Sequence, residues 1–259
     1  IQVLRKVTFF VKPSELVIIL GPNGAGKSTL FSIISGLIMP DKGDCIVAGS
    51  SIEKEPVKAL KGLGIVFQQP TIDMELTIKE NLMFHASLQG LKSNFLKDVI
   101  NKELFNFELD KKLNNKAKNL SGGERRKVEL IRSVLHKPKM LLMDEPTVGL
   151  DPSSRKELLT KITKLKEKEK LSVLWATHLV DEAEKADKII ILNKGQVIEM
   201  GKPSVLKKRT NSSGNILKNN FISLVLNFSK KEFNFDSLFK ITKGSGRGDA
   251  ITDDISFFK

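Results

Sequence analysis

Apolar residues fall into two patterns along this chain, unbroken short runs and sets spaced at the helical period, and the two predict different elements. Leu16-Val17-Ile18-Ile19-Leu20 is an apolar run of strand length, and Met140 to Met143, Ser172 to Thr177 and Ile189 to Leu192 repeat it. Lys6 to Val11 alternates and predicts a further strand, separated from Leu16 by the turn Lys12-Pro13-Ser14-Glu15, so the domain is expected to start upstream of the first residue. Cys45 to Gly49 and Ile65 to Gln68 read as shorter strands, the first preceded by the turn Pro40 to Asp44, and Ile189 to Leu192 with Gln196 to Glu199 closes a hairpin over Asn193-Lys194-Gly195. Between Thr71 and Val134 the period becomes helical. Thr77-Ile78-Lys79-Glu80-Asn81 opens a helix carrying Leu82, Phe84 and Leu88, and Asn94 to Phe107 carries Phe95, Val99, Ile100 and Leu104. Leu120-Ser121-Gly122-Gly123-Glu124 opens a third, with Val128, Leu130, Ile131, Val134 and Leu135 as its apolar side, and Asp151-Pro152-Ser153 starts a fourth with Leu158, Ile162 and Leu165. The pattern predicts an α/β domain interrupted by a helical subdomain over about residues 71–136.

Composition narrows the class without fixing the function. A chain of 259 residues is expected to form one domain with subdomains. No apolar run reaches the roughly 18 residues that cross a bilayer, and no basic-then-apolar signal segment opens the chain, so any membrane role is expected to come through a partner. Cys45 is the only cysteine, which excludes an internal disulfide and a thiolate metal site and fits a reducing cytoplasm. His85, His136 and His178 are too scattered for a metal motif. The net charge is +13, with Lys111, Lys112, Lys116, Lys118, Arg125, Arg126, Lys127, Arg132, Lys137 and Lys139 crowded into one region. That cluster reads either as a solvated surface or as a field for an anionic partner, and it lacks the interleaved aromatics of a base-stacking surface. From Thr210 the character shifts to Asn, Ser and Phe. Seven of the fifteen phenylalanines lie there, so the extension 210–259 is expected to be partly ordered, with a break at Gly244 to Gly248.

The chemistry concentrates where strands give way to turns. Gly21-Pro22-Asn23-Gly24-Ala25-Gly26-Lys27-Ser28-Thr29 follows the first apolar run and precedes a helix expected to stop at Gly36. Glycines at this spacing let successive N–H groups turn inward around a polyphosphate. Lys27 then reaches the β- and γ-phosphates, Ser28 ligates Mg²⁺, and the helix N-terminus adds positive potential. Asp144-Glu145 ends an apolar strand, where buried carboxylates are costly unless used, and where a parallel sheet places Mg²⁺ ligands beside a phosphate loop. Gln68, at the end of another strand, can face the nucleotide. His178 lies at the same sheet end as Asp144 and can touch a γ-phosphate, although a lone histidine is commonly a core or surface residue. Ser121 to Glu124 reads as a capping box, and equally as an anion site at a helix mouth.

With these segments in this order, residues 1 to about 206 resemble the nucleotide-binding subunit of an ATP-binding-cassette (ABC) transporter. The Ser-Gly-Gly-Glu signature is the most specific part. The resemblance implies a RecA-like P-loop NTPase core with a mixed sheet and an inserted helical subdomain, an ABC ATPase domain over 1–209, and a head-to-tail dimer clamping two ATP molecules. Each ATP is then held by Lys27, Ser28 and Thr29 of one chain and by Ser121, Gly122 and Gly123 of the other. By the same resemblance Asp144 helps hold Mg²⁺, Glu145 polarises the attacking water, Gln68 senses metal and water, His178 contacts the γ-phosphate, and Asp151 communicates across the dimer. It further implies docking, through Gln69 to Phe84, on an integral-membrane permease at the cytoplasmic face of the plasma membrane, with no nucleic-acid partner. Thr147 to Asp151 and Thr177 to Ala183 are similar to cassettes serving ABC-2-type exporters. The family's upstream adenine-stacking aromatic has no counterpart here, since the chain lacks tyrosine and Phe9 and Phe10 read as strand residues. A soluble cassette ATPase acting on ribosomes or DNA is the alternative. A GTPase or small-molecule kinase is disfavoured, because Asn193-Lys194-Gly195-Gln196 lacks the acidic fourth residue of guanine recognition.

Overall fold

The computed structural model describes residues 2–91 and 93–211, with the side chains at 93–95 and 208–211 left aside. The Phe95 side chain and the extension from 212 onward therefore lie outside the described residues. The strands are β1 (Leu16–Leu20), β2 (Ile46–Val47), β3 (Ser50–Ser51), β4 (Leu63–Val66), β5 (Met140–Asp144), β6 (Ser172–Thr177), β7 (Lys188–Asn193) and β8 (Gln196–Gly201). The helices are α1 (Lys27–Ile34), α2 (Pro56–Lys61), α3 (Ile78–Leu88), α4 (Ser93–Asn106), α5 (Gly122–Val134), α6 (Pro152–Glu169), α7 (Val180–Ala183) and α8 (Pro203–Asn211).

Six strands form one sheet in the order β4-β5-β6-β1-β7-β8. All neighbours are parallel except the β7–β8 hairpin, so the sheet is mixed. β1 is buried along its whole length, as a strand covered on both faces must be. Its side chains alternate between two cores. Leu16, Ile18 and Leu20 join Leu82, Leu104, Leu130, Ile131, Leu158 and Ile162 from α3 to α6, whereas Val17 and Ile19 join Leu30, Phe31 and Ile34 of α1 and Ala59 of α2. The sheet is thus sandwiched, with the helical insert on one face and the helix of the phosphate loop on the other.

Register decides where the chemistry gathers. Leu20 lies opposite Thr177, Asp144 opposite Ala176 and Val66 opposite Met143, so the segments leaving β1, β4, β5 and β6 emerge at one edge. β4 lies close against the insert at Gly64, where a Cβ would stand 2.2 Å from the Ser133 carbonyl oxygen of α5. Only glycine fits there.

The strand expected over Lys6 to Val11 is absent. Val7, Phe9 and Val11 are half-buried against the α1-side core while Thr8 and Phe10 face out. The alternation therefore records one covered face, but no neighbouring strand supplies a ladder. The strand expected over Cys45 to Gly49 shrinks to Ile46–Val47, paired antiparallel with Ser50–Ser51. No helix among the described residues is long and apolar enough to cross a membrane.

Candidate nucleotide site

The loop from Gly21 to Gly26 joins β1 to α1, and its last residue enters the helix with φ 102°, a conformation open to glycine at no steric cost. Asn23, Gly24 and Ser28 are exposed, while Gly21, Ala25, Gly26 and Lys27 are buried and Pro22 and Thr29 lie between. Lys27 Nζ donates to the carbonyls of Gly21 (2.8 Å) and Pro22 (3.1 Å) and pairs with Glu145 Oε1 at 3.2 Å. Glu145 follows β5 in a left-handed conformation, φ 45°, and its N–H is held by the Ala176 carbonyl at 2.9 Å. For a residue other than glycine this conformation is costly and concentrates at functional sites.

Glu145 is the hub of the cluster. Besides Lys27, it meets Gln68 Nε2 at 3.4 Å through Oε2, and His178 Nδ1 lies 3.2 Å from Oε1, within ion-pair reach but outside hydrogen-bond alignment. The side chain of Glu145 is 10% exposed and that of Lys27 5%, so this is a buried pair. Asp144 sits beneath it. Burial pushes its carboxyl above the ordinary range and the Glu145 charge adds to that, while the Ser28 hydroxyl and Lys27 pull the other way. Asp144 Oδ1 is buried without a hydrogen-bond partner among the described residues. An orphaned carboxylate oxygen beside a serine hydroxyl suits a hard cation that takes its remaining ligands from phosphate and water, so Ser28 and Asp144 fit Mg²⁺. Among the described residues no group of three or more His, Cys, Asp or Glu could hold a metal ion, so the remaining ligands would come from hydroxyl, amide, phosphate and water.

A second grouping forms around Ser121. Its hydroxyl accepts the Glu124 N–H (3.2 Å), and Glu124 Oε2 accepts the Ser121 N–H (3.0 Å), so the capping box is present. Lys112 Nζ, 2.5 Å from Glu124, holds that carboxyl below its ordinary range. Gly122 and Gly123 face the turn before α6, where a Cβ on Gly123 would lie 3.2 Å from Ser154 Oγ. Asp151, in the same turn, accepts from the N–H groups of Ser153 and Ser154 and caps α6. Among the described residues no hydrogen bond or ion pair joins Ser121, Gly122 or Gly123 to the cluster around Glu145.

Half of the ten basic residues clustered in the sequence pair with carboxylates. Lys112 meets Glu124, Lys116 and Lys118 meet Glu75, Lys127 meets Glu157, and Arg126 is buried against Glu129. Sequence reasoning also missed Glu182, which is buried under the turn after β5 and accepts a hydrogen bond from Thr147 Oγ1. A carboxylate among the apolar positions of Leu179 to Ala183 was the available signal.

The model of the ABC transporter family matches residues 4–148, more than half of the chain. The linearmycin resistance ATP-binding protein LnrL of Bacillus subtilis is 38% identical over 208 residues, 80% of this chain and 67% of its own length. The Nod factor export ATP-binding protein I of Rhizobium etli is 36% identical over 202 residues, 78% of this chain and 64% of its own length. The chain thus spans about two thirds of these relatives. Among solved structures, the dimeric post-hydrolysis state of the ATP-binding cassette MJ0796 bound to ADP and Pi superposes with a TM-score of 0.70 at 30% identity, covering 77% of this chain and 90% of that one. A phosphate loop, a carboxylate-tipped strand and a capped glycine mouth are thus met in one fold by relatives that agree in sequence and in structure, and the chain belongs to the ABC transporter family as its ATP-binding cassette, an ATPase.

Proposed function

We propose that this cassette drives an integral-membrane permease, for export, by closing head-to-tail on a second cassette around two ATP molecules and reopening after hydrolysis. The observation that carries the reading is the convergence of Lys27, Gln68 and His178 on Glu145 at one sheet edge, with Asp144 and Ser28 alongside. This clustering supports Glu145 as the base, Lys27 as the phosphate-binding cation, and Gln68 and His178 as orienting groups. The loop from Gly21 to Gly26, with Thr29 at the first turn of α1, wraps the phosphates. Lys27 exchanges Glu145 for them. Glu145, released, accepts a proton from the attacking water, Gln68 orients that water, and His178 contacts the γ-phosphate. Ser28, Asp144 and Gln68 would hold Mg²⁺, which would supply charge neutralisation on the triphosphate.

Ser121, Gly122, Gly123 and Glu124 serve the ATP of the sister cassette, and Asp151, against the same mouth, carries the closed state across the dimer. The free anion-binding face of a capped helix supports this, as does the dimeric state of MJ0796. The permease docks along Gln69 to Phe84 on the cytoplasmic side of the membrane. Support comes from Phe84 and Leu88, one helical turn apart on α3, which are 63% and 70% exposed. Export follows the names of the relatives, one a resistance and one an export system.

Glu145→Gln tests the mechanism. Loss of general-base assistance lowers turnover about 10²- to 10⁴-fold, and with Mg-ATP the variant elutes as a dimer on size exclusion. A variant that hydrolyses ATP at the wild-type rate removes Glu145 from the base role, and one that stays monomeric with Mg-ATP, with the permease present, overturns the closure.

A further inference from the structure

We propose that Arg126 and Glu129 are positioning residues for ATP turnover, which fasten the backbone around Gln68 to the helix that begins at Ser121. A cassette's own glutamine and the mouth it offers to its sister then move as one body. The inference rests on the role proposed above for Gln68.

Residues 126, 129 and 132 lie on one face of α5, and all three reach the same five-residue segment leaving β4. The Arg126 guanidinium donates to the carbonyls of Phe67 (2.7 Å) and Gln68 (2.8 Å), and to Glu129 Oε2 (2.8 Å). Glu129 Oε1 in turn accepts the Thr71 N–H at 2.6 Å and its hydroxyl at 3.2 Å. Arg132 donates to the Thr71 carbonyl at 2.8 Å and to its hydroxyl. Backbone groups at residues 67, 68 and 71 are thus held by side chains of one helix.

Two features make this more than packing. Arg126 is 5% exposed and Glu129 1%. A buried pair of this kind is a weak source of stability, since apolar replacements of similar size are often neutral or better. What apolar side chains cannot replace is the planar fork that takes two successive carbonyls at once. The second feature is the far end of the segment. Gln68 Nε2 meets Glu145 at 3.4 Å, the outer limit of a hydrogen bond, so a shift of a few tenths of an ångström in the Gln68 backbone ends the contact. On the other side β4 lies close against the end of α5 at Gly64, a second contact that ties the strand to the helix. Movement of the Ser121 mouth therefore reaches Gln68 without passing through the Asp151 turn, giving the two ATP sites a second line of communication.

The test compares Arg126→Lys, the double variant Arg126→Met/Glu129→Leu and Gln68→Ala in the full chain, each scored for kcat, KM for Mg-ATP and Tm, with rates normalised to folded protein by ADP binding. The double variant is expected to keep the wild-type KM and to lose kcat about tenfold or more, since misplacement of a positioned group by about 1 Å can cost about 10² in rate. Arg126→Lys, which keeps the charge and one donor direction, is expected to fall between. If the double variant does not fold, Arg126→Lys carries the test alone. Wild-type kcat per folded molecule in the Arg126 variants, with Gln68→Ala impaired, overturns the clamp. Wild-type kcat in Gln68→Ala overturns the reading on which it rests.

Discussion

Lys27 Nζ donates to the Gly21 and Pro22 carbonyls and pairs with Glu145 Oε1 at 3.2 Å, so a phosphate that takes up the ammonium's charge draws it away from that carboxylate. Glu145 is therefore the competitor of the nucleotide as well as its proposed base, and Glu145→Gln should tighten binding. At 3.2 Å two unit charges attract by about 5 kcal/mol at an effective dielectric near 20. Most of that attraction is offset by the cost of burying both ions. A net release of about 1 to 2 kcal/mol then lowers Kd about 5- to 30-fold. ADP is the probe, since it lacks the γ-phosphate that His178 and the sister cassette would meet, and chelator keeps metal out of the comparison. Titration calorimetry at equal protein concentration should give the smaller Kd for the variant. Its unliganded Tm should be lower than that of the wild type, because Lys27 is left buried with two carbonyls, and the rise on adding ADP correspondingly larger. An ADP affinity equal to or weaker than that of the wild type refutes the competition.

Two further outcomes follow from packing and burial. Gly64→Ala places a methyl 2.2 Å from the Ser133 carbonyl, so β4 and α5 must part by about 1 Å; overpacking of this kind costs about 1–3 kcal/mol, read as a lower urea midpoint, and an unchanged midpoint contradicts the close approach. Burial pushes the Glu182 carboxyl up, against the smaller opposing pull of its bonds to Thr147 and Thr177. The native state then holds the proton longer than the unfolded chain, and stability falls as pH rises from the ordinary glutamate range, about 4.3, toward the raised value. Glu182→Gln keeps an acceptor for Thr147 and has no proton to lose. Its stability relative to wild type should rise as pH climbs above the ordinary glutamate range, and a flat difference removes the burial effect.

The nucleotide site was legible because its parts are local in sequence. A phosphate loop needs only its own glycines and flanking strand and helix, so Gly21 to Thr29 could be placed without tertiary information. Asp144-Glu145 stood out as carboxylates closing an apolar run, and Ser121 with Glu124 as two residues three apart that cap one another. Lys6 to Val11 misled because alternation reports a covered face, and β-pairing needs a partner strand that no local pattern supplies. Pro56–Lys61 was not foreseen, being too short to establish a period. Arg126, Glu129 and Arg132 were hidden in a run of basic residues, where the sequence cannot distinguish a solvated lysine from a guanidinium folded under a loop. The bond from Thr147 to Glu182 spans 35 residues, and nothing in either neighbourhood announces the other.

The cap at Ser121 leaves its hydroxyl able to take on the second role proposed for it. In holding the Glu124 N–H it uses an oxygen lone pair, and its own hydrogen stays uncommitted. Helix integrity therefore does not compete with the phosphate donation proposed for this hydroxyl. Threonine preserves both capacities at that position. Alanine forfeits both together.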